Sequence, residues 1–199
     1  MNHWRLKTWT GYPEKIDIGW YCLKHSVGAM GWCLWALQSE MQSRKISINN
    51  ILDYMKLAHT VTKYPDNQLL SVEYLDSAKG AKTGDLIWMY DRKQIGDRDS
   101  DFYIARVEED SKYHYNLSNE AYANDACNEL TNLHWLKVGK QAVVYPGVVR
   151  ALWHRGYTFR RISVAPQEYS QLVYNKLSNT QTYNVHYVSQ DISDWVAKI

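Results

Sequence analysis

Gly84-Asp85-Leu86-Ile87-Trp88-Met89-Tyr90-Asp91 is followed, after a charged segment, by Phe102-Tyr103-Ile104-Ala105-Arg106-Val107. In the first of these, Leu86, Trp88 and Tyr90 share one face and the residues between them share the other. Alternation with a period of two is typical of β-strands, and apolar residues on both faces are typical of strands covered on both sides. The two segments therefore predict a β-hairpin, over residues 85–91 and 102–107, that lies centrally in a sheet.

Shorter patterns around this hairpin predict more strands and several helices. Alternating or apolar runs favour short strands over residues 3–9, 16–23, 27–37, 133–138, 142–145 and 158–164, and leave 148–153 open between helix and strand. Spacing of i, i+3, i+4 and i+7 favours helices over residues 48–58, capped by Ser47, and over 67–78 and 167–177. Because strands and helices do not alternate as βαβ units, the expected fold class is α+β with a barrel-like mixed sheet.

Tryptophan and tyrosine are unusually abundant, with 9 Trp and 16 Tyr against 2 Phe in 199 residues. Both side chains carry a polar hydrogen that must be satisfied, so they gather where one end is apolar and the other wet. Surfaces that stack on nucleobases are such places. Core packing explains many of these rings, but it does not explain the scarcity of Phe.

Composition limits the class of protein. A hydrophobic content of 45%, a charged content of 22% and a length of 199 residues predict one globular domain, with or without an appendage. The three cysteines, Cys22, Cys33 and Cys127, are an odd number without CxxC spacing and predict reduced thiols in the cytoplasm. The amino terminus has no apolar segment of the signal-peptide kind, and no apolar run is long enough to span a bilayer.

Catalytic motifs receive little support. Asp66 with Asp110-Ser111-Lys112 matches the letters of a metal-dependent PD-(D/E)xK nuclease, but such short patterns recur by chance. Cys22, His25 and Cys33 have a spacing that suits zinc, yet the fourth ligand of a structural site is missing. We therefore expect no enzyme, no cofactor and no metal.

A basic segment gives the clearest functional signal. Residues 130–167 contain no Asp or Glu. They contain Lys137, Lys140, Arg150, Arg155, Arg160 and Arg161, which we predict to contact phosphates. The alternative is a solvated basic face that balances acidic residues elsewhere. The aromatic surplus favours nucleic acid, because Trp or Tyr rings can take an exposed base beside the phosphate contacts.

The order of these segments resembles the PUA-like superfamily, in particular EVE and YTH-like domains of McrBC-type modification-dependent restriction proteins. The resemblance rests on the opening strand at residues 3–7, the segment Gly31-Trp32-Cys33-Leu34, the two hairpin strands, and residues 133–138. It implies a small twisted β-barrel flanked by helices over residues 1–165, with a carboxy-terminal helix and tail over 166–199. It also implies a base flipped into a pocket of aromatic rings.

Carried onto this sequence, the resemblance implies Trp20 or Trp32 as one pocket wall and Tyr113 and Tyr115 as the other. Asp91 or Asn116 would bind a base edge. The complete predicted pocket consists of Trp20, Trp32, Trp35, Tyr90, Asp91, Tyr113, Tyr115 and Asn116.

The expected function is recognition of a modified base in DNA, as the non-catalytic targeting domain of a restriction or defence protein. The expected partners are modified DNA and a fused or associated nuclease or NTPase effector. Three alternatives stay open: an RNA reader, a metal-dependent nuclease, and a protein-interaction module.

Overall fold

A computed structural model describes residues 1–8, 16–61, 64, 66–76, 78–91, 99–154, 158–162, 167–185 and 187–199. The strands within these residues are His3–Lys7 (β1), Gly28–Met30 (β2), Leu86–Asp91 (β3), Asp101–Arg106 (β4), Tyr113–Tyr115 (β5), Asn128–Leu130 (β6), Leu136–Lys140 (β7) and Phe159–Arg161 (β8). The helices are Ile18–His25 (α1), Gln38–Ser43 (α2), Ile51–Val61 (α3), Asp66–Glu73 (α4), Asn119–Ala123 (α5), Pro146–Trp153 (α6), Gln167–Ser178 (α7) and Gln190–Ala197 (α8). Two single 3-10 turns cover Trp35–Leu37 and Gln141–Val143.

The larger sheet has five strands in the order β7-β4-β3-β1-β8. Strands β3 and β4 pair antiparallel from Leu86 opposite Arg106 to Asp91 opposite Asp101, which confirms the predicted hairpin and its central place. Strand β1 lies parallel to β3, and the short strand β8 pairs antiparallel with β1 at one edge. Residues 92–98, between β3 and β4, lie outside the described residues.

Each face of this sheet packs against its own apolar cluster. On one face Trp4, Leu6, Ile87 and Met89 pack with side chains from α1 to α4 and from the smaller sheet. The opposite face carries Leu86, Trp88 and Tyr90 of β3, which pack with α6, α7 and α8. The predicted division of β3 into two apolar faces is therefore confirmed.

The carboxy-terminal helices are part of this packing. The Trp88 and Tyr169 rings stack with their centroids 6.0 Å apart, and the Trp88 indole N–H donates to the Ser170 hydroxyl at 2.9 Å. Further along, the Tyr183 hydroxyl donates to the Gly84 carbonyl at 2.7 Å. The segment from residue 167 onward is therefore docked on the sheet.

The smaller sheet, in the order β2-β6-β5, carries an unexpected covalent link. Cys33 and Cys127 form a disulfide with their Cα atoms 5.4 Å apart, and Cys22 is a buried free thiol. The prediction of three reduced thiols is therefore wrong for this structure. The two bonded cysteines are separated by 94 positions, so their proximity arises only in the folded chain.

Several local predictions need correction. Residues 18–25 form helix α1 instead of a strand, because the Asp17 carboxylate accepts from the Trp20 N–H as a helix cap and Ile18, Tyr21 and Cys22 face inward together. Helix α3 begins three residues later than predicted. Its first turn is capped by Asn50, whose side-chain oxygen accepts from the Asp53 N–H at 2.9 Å, and not by Ser47.

Three further segments also differ. Residues 142–145, predicted as a strand, largely form a 3-10 turn, and the open segment 148–153 is helical. Residues 116–132, whose polar and Asn-rich composition predicts a long loop, contain α5 and β6.

The fold is mixed α+β, as predicted, but no closed barrel is present in the part of the chain that is described. Strands β7 and β8 are the two edges of the larger sheet and are not paired with each other. Among the described helices, none has the length and apolar character needed to cross a lipid bilayer.

Reduction of the disulfide should lower the free energy of unfolding by about 4 kcal/mol, because the bond closes a long loop in the unfolded chain. Urea unfolding of the oxidised chain and of the Cys33→Ser, Cys127→Ser double variant measures this difference. Mass spectrometry after alkylation in denaturant should count one modified thiol before reduction and three after it. Three modified thiols before reduction would contradict the disulfide.

Candidate anion-binding face

Strand β8 places two arginines at the edge of the larger sheet. Arg160 lies opposite Arg5 of β1, and Arg161 lies opposite Trp4. The strand is held by apolar contacts, since Phe159 is fully buried and stacks on Trp4 at 5.1 Å with the two rings nearly parallel. Both arginine side chains are exposed.

Helix α6 contributes a third arginine to the same face. Pro146 occupies the first turn, where its missing N–H is not needed, and the chain leaves the helix at His154. Val148, Ala151 and Leu152 face the core, so that Arg150 projects outward. The amphipathic spacing of the helix therefore sets the direction of this guanidinium.

Arg5 joins β1 to the end of α6. Its side chain is only 3% exposed, and one guanidinium nitrogen donates to the carbonyl oxygens of Ala151 and, at 3.0 Å, His154. These carbonyls belong to the last turn of the helix, where acceptors lack partners within the helix. Burial lowers the pKa of Arg5, and the neighbouring charge of Arg160 lowers it further. The effect of Arg160 agrees with its position directly opposite Arg5 in the pairing of β8 with β1.

These residues surround a small pocket of about 230 Å³, called here the arginine pocket. Its lining residues include Arg5, Arg150, Arg160 and Arg161 together with His154. No carboxylate is among its described lining residues, and none of the described Asp or Glu side chains forms an ion pair with Arg150, Arg160 or Arg161. Such a concentration of unneutralised positive charge favours an anionic ligand.

A larger cleft of about 1000 Å³, called here the aromatic cleft, shares Arg150 and His154 with the arginine pocket. Trp153 and Trp195 line it, and Trp153 is 46% exposed. The Trp195 ring is fixed edge-to-face on Tyr145, with centroids 5.9 Å apart, and the Lys198 ammonium lies 3.3 Å from its centroid. Aromatic surface and positive charge therefore adjoin each other here.

On its other side the arginine pocket shares Arg160 and Arg161 with a groove of about 470 Å³, called here the lysine groove. Lys79 and Lys82 line this groove, although Lys79 also pairs with Glu73 at 3.0 Å. The turn that presents them requires glycine at position 80, because an added Cβ would lie 1.8 Å from the Tyr74 carbonyl oxygen.

The predicted phosphate-binding residues fall into three groups. Lys140, Arg150, Arg160 and Arg161 line this continuous face. Lys137 does not line it and pairs with Asp101 of β4 at 2.8 Å; Asp101 also lies 3.4 Å from Lys140. Burial raises the pKa of Asp101, but the two lysines lower it by a larger amount, so that the net shift is downward. Arg155 lies outside the described residues.

The predicted base-pocket residues do not converge on one site. Trp20 and Trp35 are 46% and 52% exposed on α1 and on the following 3-10 turn. The Lys24 ammonium lies 4.7 Å from the Trp20 ring centroid, and Trp35 packs edge-to-face on Tyr122. Neither tryptophan lines the aromatic cleft, the arginine pocket or the lysine groove.

Tyr113 and Tyr115, predicted as the opposite wall of the pocket, form hydrogen bonds within the protein instead. Tyr115 is buried, and its hydroxyl accepts from the Leu34 N–H at 2.7 Å. Tyr113 donates to the Asn128 side chain at 2.8 Å. Trp32 is partly buried in the same core cluster with φ of 59°, and its carbonyl accepts from the Tyr54 hydroxyl. In this conformation the hydrogen bonds of Tyr54 and Tyr115 hold the loop around residues 31–34.

The other predicted pocket residues, Tyr90, Asp91 and Asn116, also contact other parts of the protein. Tyr90 lies on the opposite face of the sheet, buried and stacked on Phe102, and Asp91 ends β3 beside Gly19. The Asn116 amide donates to the buried Glu129 carboxylate at 2.9 Å. Tyr21 donates to the same carboxylate at 2.6 Å.

Potential metal ligands are dispersed. Among the described residues, no three His, Cys, Asp or Glu side chains are grouped as a metal site would require. Cys33, one of the three residues considered for zinc, is bonded to Cys127.

Comparison with known proteins gives no assignment, because no family model, no curated protein and no solved structure matches this chain. The face described above therefore rests on its own geometry.

Sequence reasoning missed several residues of this face. Arg5 stands in an alternating strand and Trp153 and Trp195 in segments interpreted from their apolar neighbours, so none of them stood out. Lys79 and Lys82 stand in residues 79–84, a segment whose composition predicts a turn. The sequence did offer one signal. If residues 148–153 are read as a helix, Trp153 follows Arg150 by three positions and so lies on the same face.

Replacing Arg5 with Met should lower the free energy of unfolding by about 1–3 kcal/mol, because the last carbonyls of α6 lose a buried donor. Chemical denaturation measures the loss. Arg5→Lys, which keeps one donor and the charge, should recover part of it. Equal stability of the Met variant and the unchanged protein would show that Arg5 does not support the face.

Glu129 should make stability depend on pH. Burial raises the pKa of Glu129 even though Tyr21 and Asn116 donate to its carboxylate. The protonated form is thus favoured on folding, and its contribution is lost as the pH rises from the unfolded pKa through the higher folded pKa. Glu129→Gln should therefore gain Tm relative to the unchanged protein as the pH rises above the ordinary pKa of a glutamate, about 4. Exposed Glu109→Gln is the reference; parallel Tm curves for all three proteins would refute the shift.

Proposed function

We propose that this chain binds nucleic acid along the anion-binding face, with phosphates on the arginine pocket and lysine groove and one base in the aromatic cleft. A single observation supports the proposal most strongly. The three depressions share walls, at Arg150 and His154 on one side and at Arg160 and Arg161 on the other. A strand needs such a continuous track, because each nucleotide presents a phosphate and a base at a fixed distance along the chain.

The electrostatics suit a sugar–phosphate backbone. Guanidinium groups bind phosphate oxygens in a two-pronged geometry and stay charged at every physiological pH. No described carboxylate pairs with Arg150, Arg160 or Arg161, so none of the described acidic side chains competes with a phosphate at these three positions. The net charge of +2 is small, so the local arrangement and not the total charge supports binding.

The aromatic cleft is the place for a base. Trp153 offers an exposed face and Trp195 a ring held on Tyr145, while Gln141 adds a polar side chain to the lining. Stacking on such rings contributes about 1–3 kcal/mol for each base and tolerates any sequence. This places the proposed base site at α6 and α8, away from the residues that the sequence suggested.

We further propose that the bound base is a modified base of DNA, read without catalysis by a targeting domain of a restriction or defence protein. This part rests on the resemblance to the PUA-like superfamily, and with it we propose the twisted barrel that the resemblance implies. Flipping a base from a duplex costs a few kcal/mol, and the phosphate contacts and stacking would offset that cost. One added methyl group contributes only about 1 kcal/mol, so selectivity requires close contact around it.

A protein-interaction function is the second candidate, and it has an observation of its own. Trp20 and Trp35 are both about half exposed on the side of the molecule formed by α1, α5 and the first 3-10 turn. Exposed tryptophans are enriched at protein interfaces.

Charge removal on the face should weaken binding and its salt dependence together. The double variant Arg160→Gln, Arg161→Gln should reduce the slope of log K against log salt by about 1–2, since each lost phosphate contact releases about one counterion less. Fluorescence anisotropy with a labelled single strand over a salt series measures both quantities. Arg44→Gln is the matched control, because Arg44 is exposed at the end of α2 and its ion pair among the described residues is with Glu40. No binding at low salt would refute the proposal.

Trp153→Ala should weaken binding by about 1–3 kcal/mol with little change in salt slope, because it removes stacking and not charge. Trp35→Ala, which removes an equally exposed ring elsewhere, should leave affinity unchanged. Competition with methylated DNA, unmodified DNA and RNA of one sequence then tests the choice of ligand. Equal competition by all three would reject the modified-base assignment, and an effect of Trp35→Ala alone would contradict a base site in the aromatic cleft.

A further inference from the structure

The arginine pocket carries more positive charge than one internal phosphate requires. A phosphodiester has a single negative charge. Arg5, Arg150, Arg160 and Arg161 are all among the residues that line the pocket of about 230 Å³. Arg5 uses a guanidinium nitrogen to bond the end of α6, and the other three arginines are exposed.

The fold brings these groups together from separate elements. Arg160 and Arg161 come from β8 and Arg150 from α6, and the Arg5 contact with Ala151 and His154 ties the helix end to β1 beside them. Like charges held near one pocket repel each other, and the charge of Arg160, after the larger effect of burial, lowers the pKa of Arg5. A ligand with two negative charges relieves more of that repulsion than a ligand with one.

We propose that the arginine pocket binds a terminal phosphomonoester, at the end of a nucleic-acid strand. This inference rests on the proposed function, which it deepens from strand binding to recognition of a phosphorylated end. A phosphomonoester carries nearly two negative charges at neutral pH and three free oxygens that accept from guanidinium groups. Internal phosphodiesters have one charge and two free oxygens, so they use the pocket only in part.

The geometry agrees with an end that is followed by a strand. The arginine pocket opens into the aromatic cleft through Arg150 and into the lysine groove through Arg160 and Arg161. The first base beyond the terminal phosphate therefore has Trp153 within the adjoining cleft. The lysine groove on the other side remains available to a complementary or overhanging strand.

The test uses one single-stranded sequence with four different ends: hydroxyl, 5′-phosphate, 3′-phosphate and 5′-methylphosphate. The methylphosphate keeps the phosphorus but removes one charge and one free oxygen, which distinguishes a monoester from a diester. A phosphate at the recognised end should tighten binding about five- to tenfold over the hydroxyl and methylphosphate ends. Comparison of the 5′ and 3′ phosphates identifies which end is bound. Inorganic phosphate as competitor should reduce the preference.

Arg150→Gln and Arg160→Gln should each bring the preference for the phosphate end close to one, whereas Arg44→Gln should retain it. All variants alter exposed side chains, and circular dichroism with thermal unfolding verifies that they fold.

Equal affinity for all four ends would overturn the inference. Binding of the hydroxyl-ended strand would still support the proposed function in that case. Binding of phosphate ends without any binding of the hydroxyl end would support the inference and refute strand binding. Binding of inorganic phosphate alone would overturn the inference.

Discussion

The burial of both faces of the five-stranded sheet is the constraint on which the rest of the structure depends. A central strand covered on both sides has no solvent-facing row, so every polar group on it needs a partner inside the protein. Trp88 meets this requirement through Ser170, and Arg5 through the last carbonyls of α6. His3 is also buried, and burial lowers its pKa to about 4, so that the ring is neutral inside the sheet. The polar bonds fix where α6 and α7 lie, and α6 in turn positions Arg150 and Trp153.

The same requirement explains the preference for Tyr and Trp over Phe. The Tyr54, Tyr64 and Tyr183 hydroxyls donate to backbone carbonyls in loops, and the Trp135 indole donates to the Val27 carbonyl at 2.8 Å. The reasoning that these polar tips need partners was sound, but the partner is most often the backbone of this chain. A ring of this kind has two roles, since it fills the core and bonds a loop that the short strands leave unpaired. Composition alone cannot separate these rings from those of a ligand site.

What the sequence could predict depended on the range of the interactions involved. The hairpin was predictable because alternation within β3 and β4 is local, and Arg160 and Arg161 were recognised from a local charge pattern. The helix α1 was missed because its cap, Asp17, looked like an ordinary polar residue between apolar runs. The disulfide and the neutralisation of Lys137 by Asp101 both join distant positions. Such contacts leave no local signature, and for this reason the predicted base pocket gathered residues that the fold keeps apart.

Positive charge on the edge strand β8 has a competing explanation. Charged side chains at a sheet edge prevent pairing with another chain, and two arginines on a three-residue strand would serve that purpose without any ligand. Edge protection, however, requires only charge on the strand itself. It does not explain why Arg150 of α6 lines both the arginine pocket and the aromatic cleft. It also does not explain why the buried Arg5 bonds the end of α6 beside that pocket. It also gives no reason for the described carboxylates to form no ion pair with these exposed guanidinium groups, when Asp101 pairs with lysines on β7 at the opposite edge. The difference between the two edges therefore favours a bound anion over protection as the cause of the cluster at β8.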